Sequence, residues 1–187
     1  MPAFIRQIPE GDSFERDVCA DCGFVAYVNP KIVVGSVVTA DDGRILLCRR
    51  AIEPRHGFWT LPAGYMELGE TLEEGAKREA FEEAEARIEI DGMLAVFSIS
   101  RIGQVQVMFR ARLMPQEDAP LFGAGEESLE VALFAWDQIP WDELAFPTVR
   151  WALDAWKALD GAAIGVPAGN PPEDQRGTSR SGIRVAK

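Results

Sequence analysis

Apolar and polar positions alternate between two periods along this chain, and the change of period marks its elements. Lys31 to Ala40 reads KIVVGSVVTA, a β-branched apolar run that predicts a buried strand. Asp41-Asp42-Gly43 follows as a hairpin turn, because glycine accepts a positive φ without steric cost. Arg44 to Arg50 (RILLCRR) returns as a second strand, Ile52 to Gly57 is a loop, and Phe58 to Leu61 is a short strand stopped by Pro62. The period then changes. Leu72, Ala76, Ala80 and Ala84 recur every four residues, which predicts a helix over Thr71 to Glu85 with a narrow apolar stripe. Thr71 and Glu74 have the spacing of a capping box at its start. Three of the four stripe residues are alanines, so this helix must pack closely on its neighbour.

Ile88 to Ser100 and Gln104 to Leu113 are β-rich, Pro115 to Gly125 is a loop, and Leu129 to Trp136 is a further strand. Pro147 to Leu159 is a second helix, packed through Trp136, Trp141, Trp151 and Trp156. The order β-β-α-β-β-α gives a mixed α/β class, not the strict alternation of a parallel doubly wound sheet. Residues 1–30 show no clear period and read as an irregular segment, 31–160 as the main domain, and 161–187 as a flexible solvated tail rich in Gly, Pro, Ser and Arg.

Composition narrows the function classes. The chain has 187 residues with a formal net charge of −11, so it repels polyanions and general DNA binding is not expected. An acidic protein that handles phosphates needs metal ions to do so. No run approaches the ~18 apolar residues of a membrane span, and no secretory signal is visible, so a cytoplasmic location is the expectation. Three cysteines do not make a disulfide framework.

The chemistry concentrates in GYMELGETLEEGAKREAFEEAEA, Gly64 to Ala86. Glu79, Glu82 and Glu83 share a helix face beside the alanine stripe, where like charges destabilise the helix unless a cation cancels them. Mg²⁺ or Mn²⁺, hard ions that prefer oxygen ligands, would do this. Taken alone, such a triplet reads as a solvated acidic face. Here the spacing continues: Gly64, five residues, Glu70, seven residues, Arg78-Glu79, two residues, Glu82-Glu83. This resembles the Nudix box, GX5EX7REUXEEXGU with U apolar. The segments NPKIVVGSVV, GRILLCRR, GFWTLPAGYMELGET and ESLEVALFAWDQIPWDELAF extend the resemblance to a Nudix subfamily that carries an N-terminal zinc ribbon and includes pyrophosphatases acting on ADP-ribose and FAD.

The resemblance implies a mixed sheet sandwiched between helices. It also implies Mg²⁺-dependent hydrolysis of a nucleoside diphosphate linked to another group, giving AMP and a phosphorylated fragment. Glu79, Glu82 and Glu83 would be metal ligands, joined by the backbone carbonyl of Gly64. Glu70 and Arg78 would pair to hold the loop on the helix. A loop glutamate, Glu127 ahead of Glu130, would act as base. Two box positions depart: Ala80 stands at an apolar position, and Glu85 replaces the glycine that ends the helix in a left-handed turn. Arg49, Arg50 and Arg55 are candidates for phosphate contact, and Tyr65 and Phe97 for stacking a base or flavin, with Phe109 and Phe122 behind them.

Cys19-x-x-Cys22 looks like half of a zinc ribbon, the relic of a site whose other half is missing, so zinc is not expected. Cys48 reads as a core thiol and His56 as a loop hydrogen-bonder. Family members are frequently homodimers, which leaves a homodimer open. Two other functions compete: sanitation of nucleoside triphosphates, with the same chemistry, and a non-catalytic nucleotide sensor. The sensor is disfavoured because the charged box is intact.

Overall fold

The computed structural model describes residues 2–116 and 120–174, which form two compact units. The first, up to Pro30, is a three-stranded antiparallel sheet: β1 (Phe4–Gln7), β2 (Arg16–Cys19) and β3 (Val25–Ala26), in the order β1-β2-β3. The expectation of an irregular segment is therefore corrected. These strands are two to four residues long and β1 is exposed throughout, so they carry no periodic apolar signal. Cys19 to Gly23 forms a tight knuckle between β2 and β3. The Gly23 N–H donates to the Cys19 carbonyl at 3.0 Å, and the Cys19 N–H donates to the Phe24 carbonyl at 2.8 Å. Backbone N–H groups of Cys22 and Asp21 point at the Cys19 thiol and lower its pKa.

The second unit is built on the sheet order β10-β5-β4-β9-β8. Its strands are β4 (Lys31–Thr39), β5 (Ile45–Arg50), β8 (Ile88–Ile99), β9 (Gln104–Leu113) and β10 (Ser128–Phe134), with two short strands, β6 (Trp59–Thr60) and β7 (Ala63–Tyr65). β4 runs parallel to β9, and the other pairings are antiparallel. β4 and β5 pair only beside their hairpin, at Thr39 and Ile45. Beyond it β6 pairs with β5 and β7 with β4, so the chain enters the split between the two long strands. Gly35 permits the close approach there. A Cβ at Gly35 would meet the Pro62 carbonyl at 2.7 Å and overlap Ala63.

The two faces of the sheet carry separate cores. Val38, Leu46 and Cys48 face helix α1 (Leu72–Ala84) and bury Ala80 and Ala84, while Val34 and Phe109 bury Ala76. Val37, Ile45 and Leu47 point the other way, against Trp151, Ala152 and Leu153 of helix α2 (Pro147–Leu159). Period-two alternation thus places one helix on each face, the sandwich implied by the resemblance. No helix among the described residues is long and apolar enough to cross a membrane.

The segment from residue 161 is mostly exposed in its described part, as expected, but Ala168, Asn170 and Asp174 are tied to the domain. Ala168 bridges to β8 through the Val96 N–H to the Ala168 carbonyl (2.8 Å) and the Ala168 N–H to the Leu94 carbonyl (2.9 Å). Asn170 exchanges side-chain hydrogen bonds with both backbone groups of Ser98, and the Trp151 indole N–H donates to Asp174 at 2.8 Å. Composition suggested solvation, but the edge of β8 had unpaired backbone groups that this segment satisfies. The tail expected over 175–187 lies outside the described residues.

Candidate active site

Helix α1 starts as its sequence predicts. The Glu74 N–H donates to the Thr71 hydroxyl at 3.2 Å, and the Thr71 N–H donates to the Glu74 carboxylate at 2.8 Å. The helix ends at Ala84, and Glu85 takes the left-handed conformation itself, at φ +47°. The Glu85 N–H donates to the Phe81 carbonyl at 2.8 Å, the single bond of an αL helix end. So the turn normally made with glycine survives, at the strain of a side chain in the left-handed region.

The glutamates on this helix divide by environment. Glu79 and Glu83 are buried, at 7% and 6% exposure, whereas Glu82 is exposed. Burial raises the pKa of both buried carboxyls. For Glu79 the Arg78 guanidinium works against that rise. Burial pushes Glu83 up to about 8, opposed by the N–H of Ala63 and by Arg50, with the charges of Glu79 and Glu127 adding to the rise. The Ala63 N–H donates to the Glu83 carboxylate at 3.1 Å. Burial and the Glu83 charge also push the Cys48 thiol up, keeping it a protonated core group as expected. Gly64 lies directly against Glu79: a Cβ there would overlap its carboxylate. The absence of a side chain is what lets the β7 backbone approach this group.

Arg78 organises the rest. Its Nε and Nη2 donate to Glu70 at 3.0 and 2.8 Å, and Nη1 donates to Glu79 at 2.7 Å and Glu82 at 2.8 Å. A further Nη2 bond reaches the Tyr65 carbonyl at 3.0 Å. All five guanidinium N–H groups are used. Arg78 holds the Glu70 carboxyl down at about 2, with help from the Glu67 N–H. The Glu70–Arg78 pair inferred from sequence is therefore present, and it ties the loop before α1 to the helix.

The loop before β10 is clamped to the C-terminal end of α1. The Gly123 N–H donates to the Ala84 carbonyl at 2.8 Å, and the Gly125 N–H to the Glu83 carbonyl at 3.2 Å. A Cβ on Gly125 would collide with the Glu82 carbonyl oxygen, a backbone atom that cannot move aside. We therefore expect Gly125→Ala to lower Tm by roughly 3 °C or more and to displace the glutamates that follow it. Differential scanning calorimetry checks this, and an unchanged Tm would contradict the clamp.

These groups line one cleft of about 1100 Å³, with Gly64, Glu79, Glu82, Glu83, Glu126 and Glu127 along its acidic end. Arg50 lines it too, its Nε anchored on the Pro54 carbonyl at 2.9 Å. Three candidates from the sequence do not reach the cleft. Arg49 donates to the Gly57 carbonyl and faces Glu130 at 3.6 Å, and Arg55 stacks over Phe58 at 5.2 Å. Phe97 is 1% exposed and packs edge-on against Trp151 at 5.5 Å, so it belongs to the core and has no face to offer a base. Glu130 is bound up with Arg49 on β10, which leaves Glu127 as the loop glutamate in the cleft beside Glu126. Tyr65 does line the cleft. Gln104 and Gln106 line it as well and were not singled out by the sequence, although the alternation Q-V-Q-V-M places them on one face of β9.

Among the described residues no three Asp, Glu, His or Cys side chains stand close enough to hold an ion as arranged, and both Glu79 and Glu82 are engaged by Arg78. Two buried carboxylates, with a side-chain-free backbone against one of them, nevertheless make an all-oxygen donor set of the kind that suits a hard divalent cation.

The NUDIX domain profile matches residues 29–153, and a profile described as Nudix N-terminal matches residues 3–28. A protein of Streptomyces ambofaciens named MutT-like protein is 35% identical over 132 residues, 70% of this chain and 78% of that one. A protein of Methanocaldococcus jannaschii named ADP-ribose pyrophosphatase is 30% identical over 124 residues, 64% of this chain and 69% of the other. The crystal structure of a NUDIX hydrolase from Nitrosomonas europaea superposes with a TM-score of 0.78 at 43% identity, covering 90% of this chain and 93% of that one. With the box residues in register along α1 and the domain matched over most of its length, the chain belongs to the Nudix hydrolase family.

Proposed function

We propose that the protein hydrolyses the diphosphate bond of a nucleoside diphosphate linked to a second group, with ADP-ribose as the leading substrate and AMP and ribose 5-phosphate as products. The observation that carries this reading is the pair of buried glutamates, Glu79 and Glu83, at the acidic end of the cleft. Two desolvated carboxylates repel a diphosphate unless a cation lies between them. The relative named ADP-ribose pyrophosphatase supports the substrate class.

Glu79 and Glu83 would hold Mg²⁺ or Mn²⁺ with the Gly64 carbonyl, and Glu82 would join them on release from Arg78. When bound, such an ion neutralises charge on the phosphoryl oxygens and lowers the pKa of water. The chain's own groups do the rest. Arg50, fixed by Pro54, presents its remaining N–H groups to the anionic substrate. Arg78 holds Glu79 in place. Glu127 accepts the proton of the attacking water, because the helix carboxylates are occupied as ligands. Its backbone carbonyl accepts from the Ala51 N–H at 2.8 Å, which fixes its place at the cleft.

Glu127→Gln is expected to lower kcat by ~10²-fold with little change in cation affinity, whereas Glu126→Gln retains most activity. Equal losses in the two variants would move the base to another residue. The reading itself is tested by initial rates with Mg²⁺ on ADP-ribose, FAD, NADH, diadenosine polyphosphates and nucleoside triphosphates. Turnover of ADP-ribose or FAD with release of AMP is expected. Turnover of triphosphates alone, with release of pyrophosphate, would overturn it.

A further inference from the structure

One part of the cleft wall is mainly apolar, with two exceptions that adjoin each other. Val33, Tyr65, Ile99, Gln104, Gln106 and Met108 line it there. The strand register makes them one surface: Val33 lies opposite Tyr65 on one side and Gln106 on the other, and Ile99 lies opposite Gln104.

Gln104 and Gln106 are joined in a directed chain. Gln106 Nε2 donates to Gln104 Oε1 at 3.2 Å, and Gln104 Nε2 donates to the Tyr65 hydroxyl at 3.0 Å. Gln104 is thus engaged on both sides of its amide and links the other two. Gln106, at the head of the chain, keeps its carbonyl oxygen and one N–H for a ligand. The Tyr65 ring carries the Lys31 ammonium 5.0 Å from its centre and remains 48% exposed, a flat platform at the cleft. Tyr65 follows Gly64 directly, so the platform stands one residue from the backbone that touches Glu79.

We propose that Tyr65 and Gln106 form a nucleobase subsite selective for an aminopurine, with the base stacked on the Tyr65 ring and its edge read by the Gln106 carboxamide. This rests on the reading of the cleft as a nucleotide site and specifies which base it takes. A carboxamide that offers one acceptor and one donor side by side matches the exocyclic amine and adjacent ring nitrogen of adenine. Hypoxanthine presents a carbonyl where adenine presents the amine, and that oxygen would face the Gln106 oxygen. Turning the Gln106 amide over to suit hypoxanthine would require Gln104 to turn with it and the Tyr65 hydroxyl to change from acceptor to donor, a rearrangement of all three groups.

Titration calorimetry of the full-length protein with AMP and with IMP tests this. Neither probe contains an anhydride, so binding is read without turnover, and the subsite stands or falls independently of which bond is cleaved. AMP is expected to bind ~10-fold tighter than IMP, the worth of about one hydrogen bond. Gln106→Leu should lower AMP affinity ~10-fold and bring the two probes level. Tyr65→Ala should weaken both alike, by at least ~5-fold, through loss of stacking. Equal affinity of the wild type for AMP and IMP, or wild-type AMP affinity in a folded Gln106→Leu variant, would overturn the proposal. If Gln106→Leu does not fold, the wild-type ratio of the two affinities decides the question.

Discussion

Glu83→Gln is expected to lower kcat by ~10²-fold or more and, in EDTA at pH 8, to raise Tm by ~3 °C or more. Both effects come from one cause. The Glu83 carboxyl is buried between β7 and β5, and burial pushes its pKa up to about 8 from its ordinary value of 4.5. Between these two values the folded protein holds a proton that the unfolded chain has released. Stability is therefore fully present below about pH 4.5 and falls as pH rises through about 8. Glutamine keeps the shape and the acceptor oxygen for the Ala63 N–H but carries no charge, so the variant escapes that fall. A bound cation removes the same penalty in the wild type, so Mg²⁺ should stabilise the wild type more than the variant. Melting curves from pH 5 to 8.5 with EDTA or Mg²⁺ read this directly. Wild-type melting that is flat across this range in EDTA would show that Glu83 is not held in a charge-excluding site.

Replacement of Arg78 should have the second largest effect. Its five N–H groups are divided among Glu70, Glu79, Glu82 and the Tyr65 carbonyl. Lysine has three donors on a flexible stem and cannot reproduce that planar fork. Arg78→Lys is expected to lower kcat by ~10-fold or more. Arg78→Ala should lose more, with Tm down by roughly 5 °C, because Glu79 is then left buried without its partner. The Tm gap between wild type and Arg78→Ala should be widest above about pH 4.5 and narrow as pH falls toward 2, where Glu70 takes up its proton. An Arg78→Lys enzyme with wild-type kcat and Tm would mean that the fork geometry is dispensable.

The sequence was most legible where period and cap agree. Thr71, Glu74 and the alanine stripe placed α1 within one residue at either end, and strands 31–39 and 45–50 followed from their apolar runs. The box spacing picks out Glu79, Glu82 and Glu83, two of them buried, Gly64 against Glu79, and the Glu70–Arg78 pair. β7 was not legible, because three residues in a split between longer strands carry no period, and its identity comes only from pairing with β4. Phe97 misled because a lone aromatic in a strand does not reveal what packs over it. It lies opposite Gln106 in the register with β9 and so shares that face, but Trp151 of α2 covers it. The arginines misled for another reason: Arg49 and Arg50 are adjacent, so the pleat sends only one of them to the cleft. Gln104 and Gln106 were visible as an alternation but had no meaning until Tyr65, far along the chain, came to meet them.

Direct titration of the full-length protein with Mn²⁺, following free ion by electron paramagnetic resonance, tests the proposed role of the buried carboxylates most directly. The wild type is expected to bind Mn²⁺ at pH 8, more weakly at pH 6 as Glu83 takes up its proton. Glu83→Gln should lower the affinity at least ~10-fold while the fold is retained. Mn²⁺ binding that is the same in wild type and Glu83→Gln, at both pH values, would contradict a catalytic centre built on Glu79 and Glu83.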